Sequence, residues 1–123
     1  MPVGLDLVRV ARIARALARG PAFAGRVFTD SELAACAEFP TRRRAEYLAG
    51  RFAAKEAVLK ALGAGGADAG LLRDIETLAG ATGAPEVRLA GAALQRARDL
   101  GYGAAAVSIS HEAGTAAAIA LLR

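Results

Sequence analysis

The sequence has little of three things: cysteine, aromatic side chains and long apolar runs. Cys36 is the single cysteine, there is no tryptophan, and aromatic residues make up 5% of the chain. One cysteine excludes an internal disulfide framework and is typical of a reducing compartment. The apolar runs fall short of the roughly 18 residues that a membrane span needs, and no basic-plus-apolar signal segment begins the sequence. We therefore expect a soluble, cytoplasmic protein that does not enter a membrane.

Alanine takes the place of larger apolar side chains. Of 123 residues, 33 are alanine, so the 54% apolar content comes largely from the smallest side chain. This composition predicts a globular protein with a thin, aliphatic core. The length corresponds to one domain, which we assign to residues 1–123. A chain of this kind would bury more surface by forming an oligomer.

Lysine is also scarce, although the chain is basic. There are 16 basic and 12 acidic residues, giving a net charge of +4, and Lys55 and Lys60 are the only lysines. An arginine-rich surface favours bidentate contacts with phosphates and carboxylates. The charge alone is therefore compatible with a nucleic acid, a nucleotide or an acidic protein partner.

The order of the local patterns predicts an α+β fold with a mainly antiparallel sheet packed against a long helix. The first predicted elements are a strand within Val3–Val10 that ends near Asp6 and a helix that ends at Gly20-Pro21. A second helix begins at the capping box Thr29-Asp30-Ser31-Glu32, and a long helix runs from Arg43 to Leu62. The remaining elements are strands at Asp74–Leu78 and Glu86–Leu89, a helix at Gly91–Leu100, and strands at Ala105–Ser110 and Thr115–Leu122.

The long helix carries the first candidate for chemistry. Glu56 shares an apolar face with Phe52 and Leu59, so its carboxylate is expected to be paired, metal-bound or at the edge of a cleft. Lys60 follows at i+4, and an ordinary helix ion pair is the simplest interpretation. The alternative is a magnesium carboxylate with a lysine beside it, because Mg²⁺ needs only one or two carboxylates in addition to waters and phosphate oxygens.

Further carboxylates remain open to two interpretations. Asp6 is either the cap of the following helix or a second metal carboxylate. Asp74 and Glu76 share one strand face, where they join the metal site or line a solvated edge, and we expect the solvated edge.

The remaining motifs are weaker. The glycine run Gly63–Gly66 follows a helix, so it predicts a cap and a turn and not a phosphate cradle. His111 enters the turn after Ser108-Ile109-Ser110, as a polar turn residue or as a phosphate ligand. The densest cationic cluster consists of Arg42, Arg43, Arg44 and Arg51, and a solvated helix face is its simplest explanation.

The chain resembles the holo-[acyl-carrier-protein] synthases, which are small 4′-phosphopantetheinyl transferases. The resemblance rests on segments that occur in the family's order: Gly4-Leu5-Asp6, Gly50-Arg51-Phe52-Ala53-Ala54-Lys55-Glu56-Ala57, Lys60-Ala61-Leu62-Gly63, Asp74-Ile75-Glu76 and Ser108-Ile109-Ser110-His111. The K-E-A-x-x-K-A-x-G block is specific, and the others gain strength from their order. Three positions depart from the family pattern: Pro2, Arg9 and Ala64 stand where a glycine, a glutamate and a hydroxyl residue are usual.

The resemblance implies the 4′-phosphopantetheinyl transferase fold and a magnesium-dependent transfer of phosphopantetheine from coenzyme A to apo acyl carrier protein, in fatty-acid biosynthesis and lipid metabolism. It implies a homotrimer with active sites between subunits, and neither a nucleic acid nor a membrane as partner. The residues it assigns are Asp6 and Glu56 to Mg²⁺, Glu56 and Lys60 to catalysis, Arg51, His111, Arg42 and Arg43 to coenzyme A, and Arg12, Arg19 and Arg26 to the acidic carrier protein.

Two other functions compete with the transferase. A small basic nucleic-acid-binding protein would suit the net charge, but it requires stacking aromatics on a basic face and leaves Asp6 and Glu56 unexplained. A catalytically silent relative that only binds a carrier protein would not need both carboxylates and Lys60. The transferase is the hypothesis that uses all of these residues.

Overall fold

The computed structural model describes residues 2–64 and 69–123 and contains five strands and five α-helices in these ranges. In chain order the elements are β1 (Val3–Arg9), α1 (Val10–Ala18), α2 (Pro21–Val27), α3 (Asp30–Ala35), α4 (Thr41–Ala61), a short 3₁₀ helix (Ala69–Asp74), β2 (Ile75–Ala79), β3 (Pro85–Leu89), α5 (Gly91–Asp99), β4 (Ala105–Glu112) and β5 (Thr115–Leu122). The predicted α+β class, with its antiparallel pairing and long helix, is confirmed.

The strands form two antiparallel sheets. One has the order β1-β5-β4 and the other is the β2-β3 hairpin. In the larger sheet Asp6 pairs with Ala118 and His111 with Ala116, so β5 separates the two strands that carry these side chains. Helix α4 packs on β1, β4 and β5. Asp6 on β1 and His111 on β4 therefore face different parts of this one helix.

Helix α4 lies unusually close to the sheet because Gly4 has no side chain. A Cβ atom at Gly4 would overlap the carbonyl oxygen of Ala57. The buried positions of α4 are rich in alanine, as are the inward positions of β5. Small side chains on both α4 and β5 let the helix backbone approach the strands. This brings the end of β1 next to the C-terminal half of α4.

The start of α3 confirms the capping box. The Glu32 backbone N–H donates to the Thr29 hydroxyl at 3.2 Å, and the Glu32 carboxylate accepts from the Thr29 N–H at 2.9 Å. This reciprocal pair satisfies two amide groups that a helix start leaves free. It also fixes Glu32 in the interior, where the side chain is fully buried.

Several predicted boundaries were wrong. Strand β1 continues past Asp6 to Arg9, and β4 continues through Glu112, so His111 lies in the strand and the turn begins at Ala113. Helix α2 was missed because Gly20-Pro21 was interpreted only as a stop. Pro21 is the first residue of α2, where its missing N–H costs nothing. Of the predicted Gly63–Gly66 loop, residues 65 and 66 lie outside the described residues.

Among the described residues, no helix combines the length and apolar character that crossing a membrane requires.

Candidate active site

Strand β1 and helix α4 bring Asp6, Glu56 and Lys60 together. The Lys60 ammonium donates to Asp6 Oδ1 at 3.1 Å and to the Leu5 carbonyl oxygen at 2.9 Å. The simplest interpretation of Lys60, a helix ion pair with Glu56, is therefore wrong, since its carboxylate partner is Asp6. Asp6 does not cap the next helix either, because the N-cap of α1 is Arg9 and has no side-chain bond.

The two carboxylates of this cluster influence each other electrostatically. Burial raises the pKa of Glu56 above its ordinary value, and the negative charge of Asp6 raises it further, while Lys60 and Arg12 oppose the shift. The Asp6 side chain is 15% exposed and that of Lys60 is 49% exposed, so the cluster opens to solvent on the lysine side. Two carboxylates that repel each other at the edge of a cleft are a suitable pair for a hard divalent cation.

The donor set fits Mg²⁺ on chemical grounds. Within the described residues no group of three or more histidine, cysteine, aspartate or glutamate side chains is placed to hold a metal. Mg²⁺ does not require such a cage, because one or two carboxylates with waters and substrate phosphates complete its coordination. Asp6 and Glu56 provide that number and no more.

Asp74 and Glu76 lie elsewhere and have structural roles. The Asp74 carboxylate accepts from the backbone N–H groups of Ala92 and Ala93 at the start of α5, at 3.0 and 3.4 Å. Glu76 accepts from the Thr29 hydroxyl at 2.6 Å. The prediction that both lie on one strand was wrong, because Asp74 ends the 3₁₀ helix; the two half-buried carboxylates bond groups distant in sequence.

His111 is placed against α4 by the absence of a side chain at Gly50. A Cβ atom at Gly50 would lie 2.9 Å from the imidazole ring. The ring nitrogen Nε2 is 2.9 Å from the Glu46 carbonyl oxygen. A carbonyl only accepts, so Nε2 carries the hydrogen of this bond and Nδ1 is left for another partner. His111 and Arg42 line one cavity of about 530 Å³.

Arg43 and Arg51 are each stacked on an aromatic ring. The guanidinium carbon of Arg43 lies 4.0 Å from the centre of the Phe39 ring, and that of Arg51 lies 4.1 Å from the centre of Tyr47. The two rings contact each other edge to face, with centres 5.6 Å apart. Stacking leaves the guanidinium edges available for bidentate contacts. The aromatic residues were missed in the sequence, although Tyr47 precedes Arg51 by four positions on α4, the spacing of neighbours on a helix, while Phe39 lies in the loop before α4.

The structure does not bring Arg51 next to His111 within one chain. Arg51 contacts Tyr47 and donates from Nε to the Thr77 carbonyl oxygen at 3.3 Å, on the side of the β2-β3 hairpin. His111 contacts Glu46 and Gly50, on the side of the larger sheet. The predicted nucleotide ligands are thus divided between two faces of α4.

The three arginines assigned to a partner lie on the exposed side of α1 and α2. Arg12 lies over the Phe52 ring, 5.6 Å from its centre, and its charge acts on Glu56. Arg19 and Arg26 line a small cavity of about 140 Å³ beside Phe23. These three arginines form a cationic edge that runs from the α1–α2 junction towards Glu56 and Asp6.

The aromatic residues do not form a platform for nucleic-acid bases. All six are buried or half-buried, and Phe28 and Phe52 belong to the core. Phe39 and Tyr47 have their faces covered by arginines. Base stacking requires exposed aromatic faces, so the described residues offer no aromatic platform for unpaired bases.

The chain matches known proteins over nearly its whole length. The family model of the 4′-phosphopantetheinyl transferase superfamily matches residues 2–119. The chain is 46% identical over 121 residues to a holo-[acyl-carrier-protein] synthase of Desulfovibrio desulfuricans, covering 98% of this chain and 94% of the relative. It is 47% identical over 120 residues to the corresponding protein of Streptomyces coelicolor, covering 97% and 94%.

Solved structures share the fold. The Plasmodium yoelii acyl carrier protein synthase with ADP bound has a TM-score of 0.86 at 34% identity, covering 98% of this chain and 92% of that chain. The Helicobacter pylori holo-[acyl-carrier-protein] synthase in complex with coenzyme A has a TM-score of 0.80 at 30% identity, covering 98% and 99%.

Proposed function

The chain belongs to the holo-[acyl-carrier-protein] synthases of the 4′-phosphopantetheinyl transferase superfamily, and from that membership we propose how its side chains divide the work of the reaction. The enzyme transfers the 4′-phosphopantetheine arm of coenzyme A to a serine of apo acyl carrier protein and releases 3′,5′-ADP. The observation that carries the assignment of residues is the convergence of Asp6, Glu56 and Lys60 where β1 meets α4.

Asp6 and Glu56 hold Mg²⁺ in this proposal. The ion supplies charge neutralisation to the pyrophosphate of coenzyme A when it is bound. Burial, and then the negative charge of Asp6, raise the pKa of Glu56, and a bound cation would offset both effects, which supports the pair as a cation site.

Lys60 stabilises negative charge on the transferred phosphoryl group. Its side chain is half exposed and is held at the cleft by Asp6 and the Leu5 carbonyl, so its ammonium is available to a phosphate oxygen. Such preorganised cations provide most of the catalysis in phosphoryl transfer. The attacking serine must also lose a proton, and Glu56, through a water molecule, is the acceptor that we propose.

Coenzyme A contacts Arg42, His111, Arg43 and Arg51, and the cleft lies between two copies of the chain. Arg51 and His111 contact different faces of α4, which supports this arrangement. One copy of the chain can supply Arg43 and Arg51 while its neighbour supplies Arg42 and His111. A cleft within one chain would leave the stacked Arg43 and Arg51 without a ligand.

A homotrimer fits the outer face of the larger sheet. This face presents a row of apolar side chains that are 44 to 65% exposed: Val3, Leu5, Leu7, Ile119 and Leu121. Their register places Val3 opposite Leu121 and Leu5 opposite Ile119, which makes one continuous apolar strip. A strip of this kind is typical of an interface between subunits.

The oligomer can be tested with one charge in the strip. Leu7→Glu is expected to give monomers by native mass spectrometry and to weaken coenzyme A binding, because the cleft loses its neighbouring copy. Glu86→Lys, at an exposed position of the hairpin outside the strip, is the control and should remain trimeric. A monomeric parent protein with full activity would overturn the proposal.

Arg12, Arg19 and Arg26 receive the acidic carrier protein. Their exposed charges lie along one edge that ends near Glu56, so a docked partner would bring its serine towards the carboxylates. Complementary charge of this kind mainly raises the association rate. We further propose that residues 1–123 form one domain, which is supported by the single core cluster of the described residues, and that the enzyme works in the cytoplasm in fatty-acid biosynthesis.

The reaction is tested by intact-mass spectrometry of apo acyl carrier protein incubated with the enzyme, coenzyme A and Mg²⁺. We expect the carrier protein to gain one phosphopantetheine arm and the gain to disappear with EDTA. Glu56→Gln should abolish the gain. Arg12→Glu should raise the KM for the carrier protein and leave coenzyme A affinity unchanged, with Arg98→Glu on α5 as the matched control. Carrier binding without any mass gain would favour the silent binding protein.

A further inference from the structure

The first lysine of the K-E-A motif is not used by the chemistry and lies in the interior. Lys55 and Glu32 are both fully buried, and their ammonium and carboxylate groups are 2.7 Å apart. Burial lowers the pKa of Lys55, and the charge of Glu32 opposes that shift. Removing two charges from water costs several kcal/mol per ion, so a pair of this kind is weak as a source of stability.

Both ions have complete sets of partners on three other segments. Besides Glu32, the Lys55 ammonium donates to the carbonyl oxygens of Leu72 and Ile75. The Glu32 carboxylate also accepts from the Thr77 N–H at 2.9 Å and from the Thr29 N–H. The pair therefore ties α4 to α3, to the end of the 3₁₀ helix and to β2 by directional bonds.

The buried part of the rest of the α4 interface is apolar, and many of its side chains are small. Of the eleven buried positions of α4, five are alanine and four are the larger apolar residues Leu48, Phe52, Val58 and Leu59, while β5 buries Ala116, Ala118 and Ala120. A methyl group forms only a shallow ridge, and ridges and grooves are what fix the orientation of a packed helix. The close contact at Gly4 limits how near the helix lies, but it leaves rotation about the helix axis to other contacts.

We propose that the buried Lys55–Glu32 pair sets the rotation and axial register of α4, and thereby holds Glu56 and Lys60 against Asp6. Lys55 and Glu32 are positioning residues that act through the backbone of α4. The inference rests on the roles proposed above for Asp6, Glu56 and Lys60.

The geometry makes the site sensitive to such a change. A side-chain tip lies about 5–6 Å from the helix axis, so a rotation of about 20° moves it by roughly 2 Å. A displacement of about 1 Å at a reacting group is enough to reduce a rate by about 10²-fold. Glu56 follows Lys55 directly in the helix, and its carboxylate therefore moves with any rotation that the pair prevents.

The test replaces both charges at once, so that neither is left buried alone. Glu32→Gln keeps the side-chain length and leaves an amide oxygen for the Thr77 N–H, and Lys55→Met keeps an unbranched apolar stem that is one atom shorter. Mn²⁺ binding to the enzyme without substrates, followed by electron paramagnetic resonance, reports the Asp6–Glu56 geometry apart from turnover. Circular dichroism melting reports the fold. We expect a folded protein with about tenfold weaker Mn²⁺ binding, a kcat at least tenfold lower and an unchanged KM for the carrier protein.

Two variants make the outcomes decisive. Glu32→Asp keeps both charges and draws the carboxylate back from Lys55 by one methylene, and it is the variant used if the double variant does not fold. A folded variant with parental Mn²⁺ affinity and kcat would overturn the proposal and reduce the pair to a structural contact. Asp6→Asn leaves the buried pair intact and should lose Mn²⁺ binding. If Asp6→Asn keeps the parental Mn²⁺ affinity, the assignment of the metal carboxylates fails, while a lower kcat of the folded buried-pair variant still supports the positioning role.

Discussion

Two lysines of one motif lie on opposite sides of helix α4 and have opposite environments. Lys55 is fully buried and directs its ammonium at three acceptors. Lys60 is half exposed, and its bonds to Asp6 and the Leu5 carbonyl lie at an open cleft. Five positions correspond to a rotation of about 140° on a helix. The motif therefore combines, on one helix, a structural side and the side for which we propose a role in the reaction.

The carboxylates on the two sides differ in the same way. Glu32 accepts from Lys55 and from two backbone N–H groups, so its charge is compensated. Glu56 is partly buried beside Asp6, and its raised pKa shows that its charge is not fully compensated by the chain. The compensated carboxylate lies on the side that holds the fold, and the one with the raised pKa lies on the side where we propose the ligand.

The largest expected effect separates the two lysines by stability. Lys55→Met leaves Glu32 buried without its cation and is expected to cost about 3–5 kcal/mol. Lys60→Met removes a half-exposed charge and should cost about 1 kcal/mol or less, while it abolishes most of the transfer activity. Urea unfolding at equal protein concentration measures the first quantity, and the mass assay measures the second. Equal losses of stability in the two variants would break the comparison.

Gly4→Ala is expected to have the next largest effect, and it acts on the reactive side. The added Cβ meets the Ala57 carbonyl oxygen, which is backbone and cannot rotate away. Overpacking of this kind costs about 1–3 kcal/mol, and it should push α4 from β1 and lower the transfer rate. Gly25→Ala in α2, where a Cβ meets nothing within 4 Å, is the control. A Gly4→Ala enzyme with parental activity would show that this spacing is not needed.

Local patterns in the sequence predicted the parts of the fold that local forces determine. The capping box at Thr29 and the long helix were correct because their signals lie within one or two turns. Asp74 binds the start of α5 across a stretch of chain that includes β2 and β3, so no spacing rule reveals it. The stacking of Arg51 on Tyr47 follows the i+4 spacing of α4 and was missed, whereas Phe39 contacts Arg43 from the loop before the helix.

The candidate site could be predicted only in part. Nothing in local spacing relates Asp6 on a strand to Glu56 on a helix, and only the family resemblance joined them. The partner of Lys60 was predicted to be Glu56, because an i+4 rule considers one helix and ignores the strand that packs on it. The burial of Lys55 was not foreseen, since charged side chains are rarely fully buried and the acceptors come from distant segments.

The smallest expected effect concerns the stability of the reactive side and its dependence on pH. Glu56 has a pKa raised above 4.5, mainly by burial and then by Asp6, so the folded chain holds this proton to a higher pH than the unfolded chain. Stability contributed by this group is therefore lost as pH rises through the window above 4.5. Glu56→Gln removes that loss and should melt a few degrees higher than the parent at pH 8 in EDTA, with no difference below pH 4.5.

Adding Mg²⁺ turns the same measurement into a test of the site. An ion that binds only the folded parent raises its melting temperature and does not act on Glu56→Gln, so the difference at pH 8 should shrink. Glu38→Gln, at an exposed position, is the matched control and should follow the parent in both conditions. If the difference at pH 8 is the same with EDTA and with Mg²⁺, the uncompensated charge of Glu56 does not serve a cation, and the contrast between the two sides of α4 loses its functional meaning.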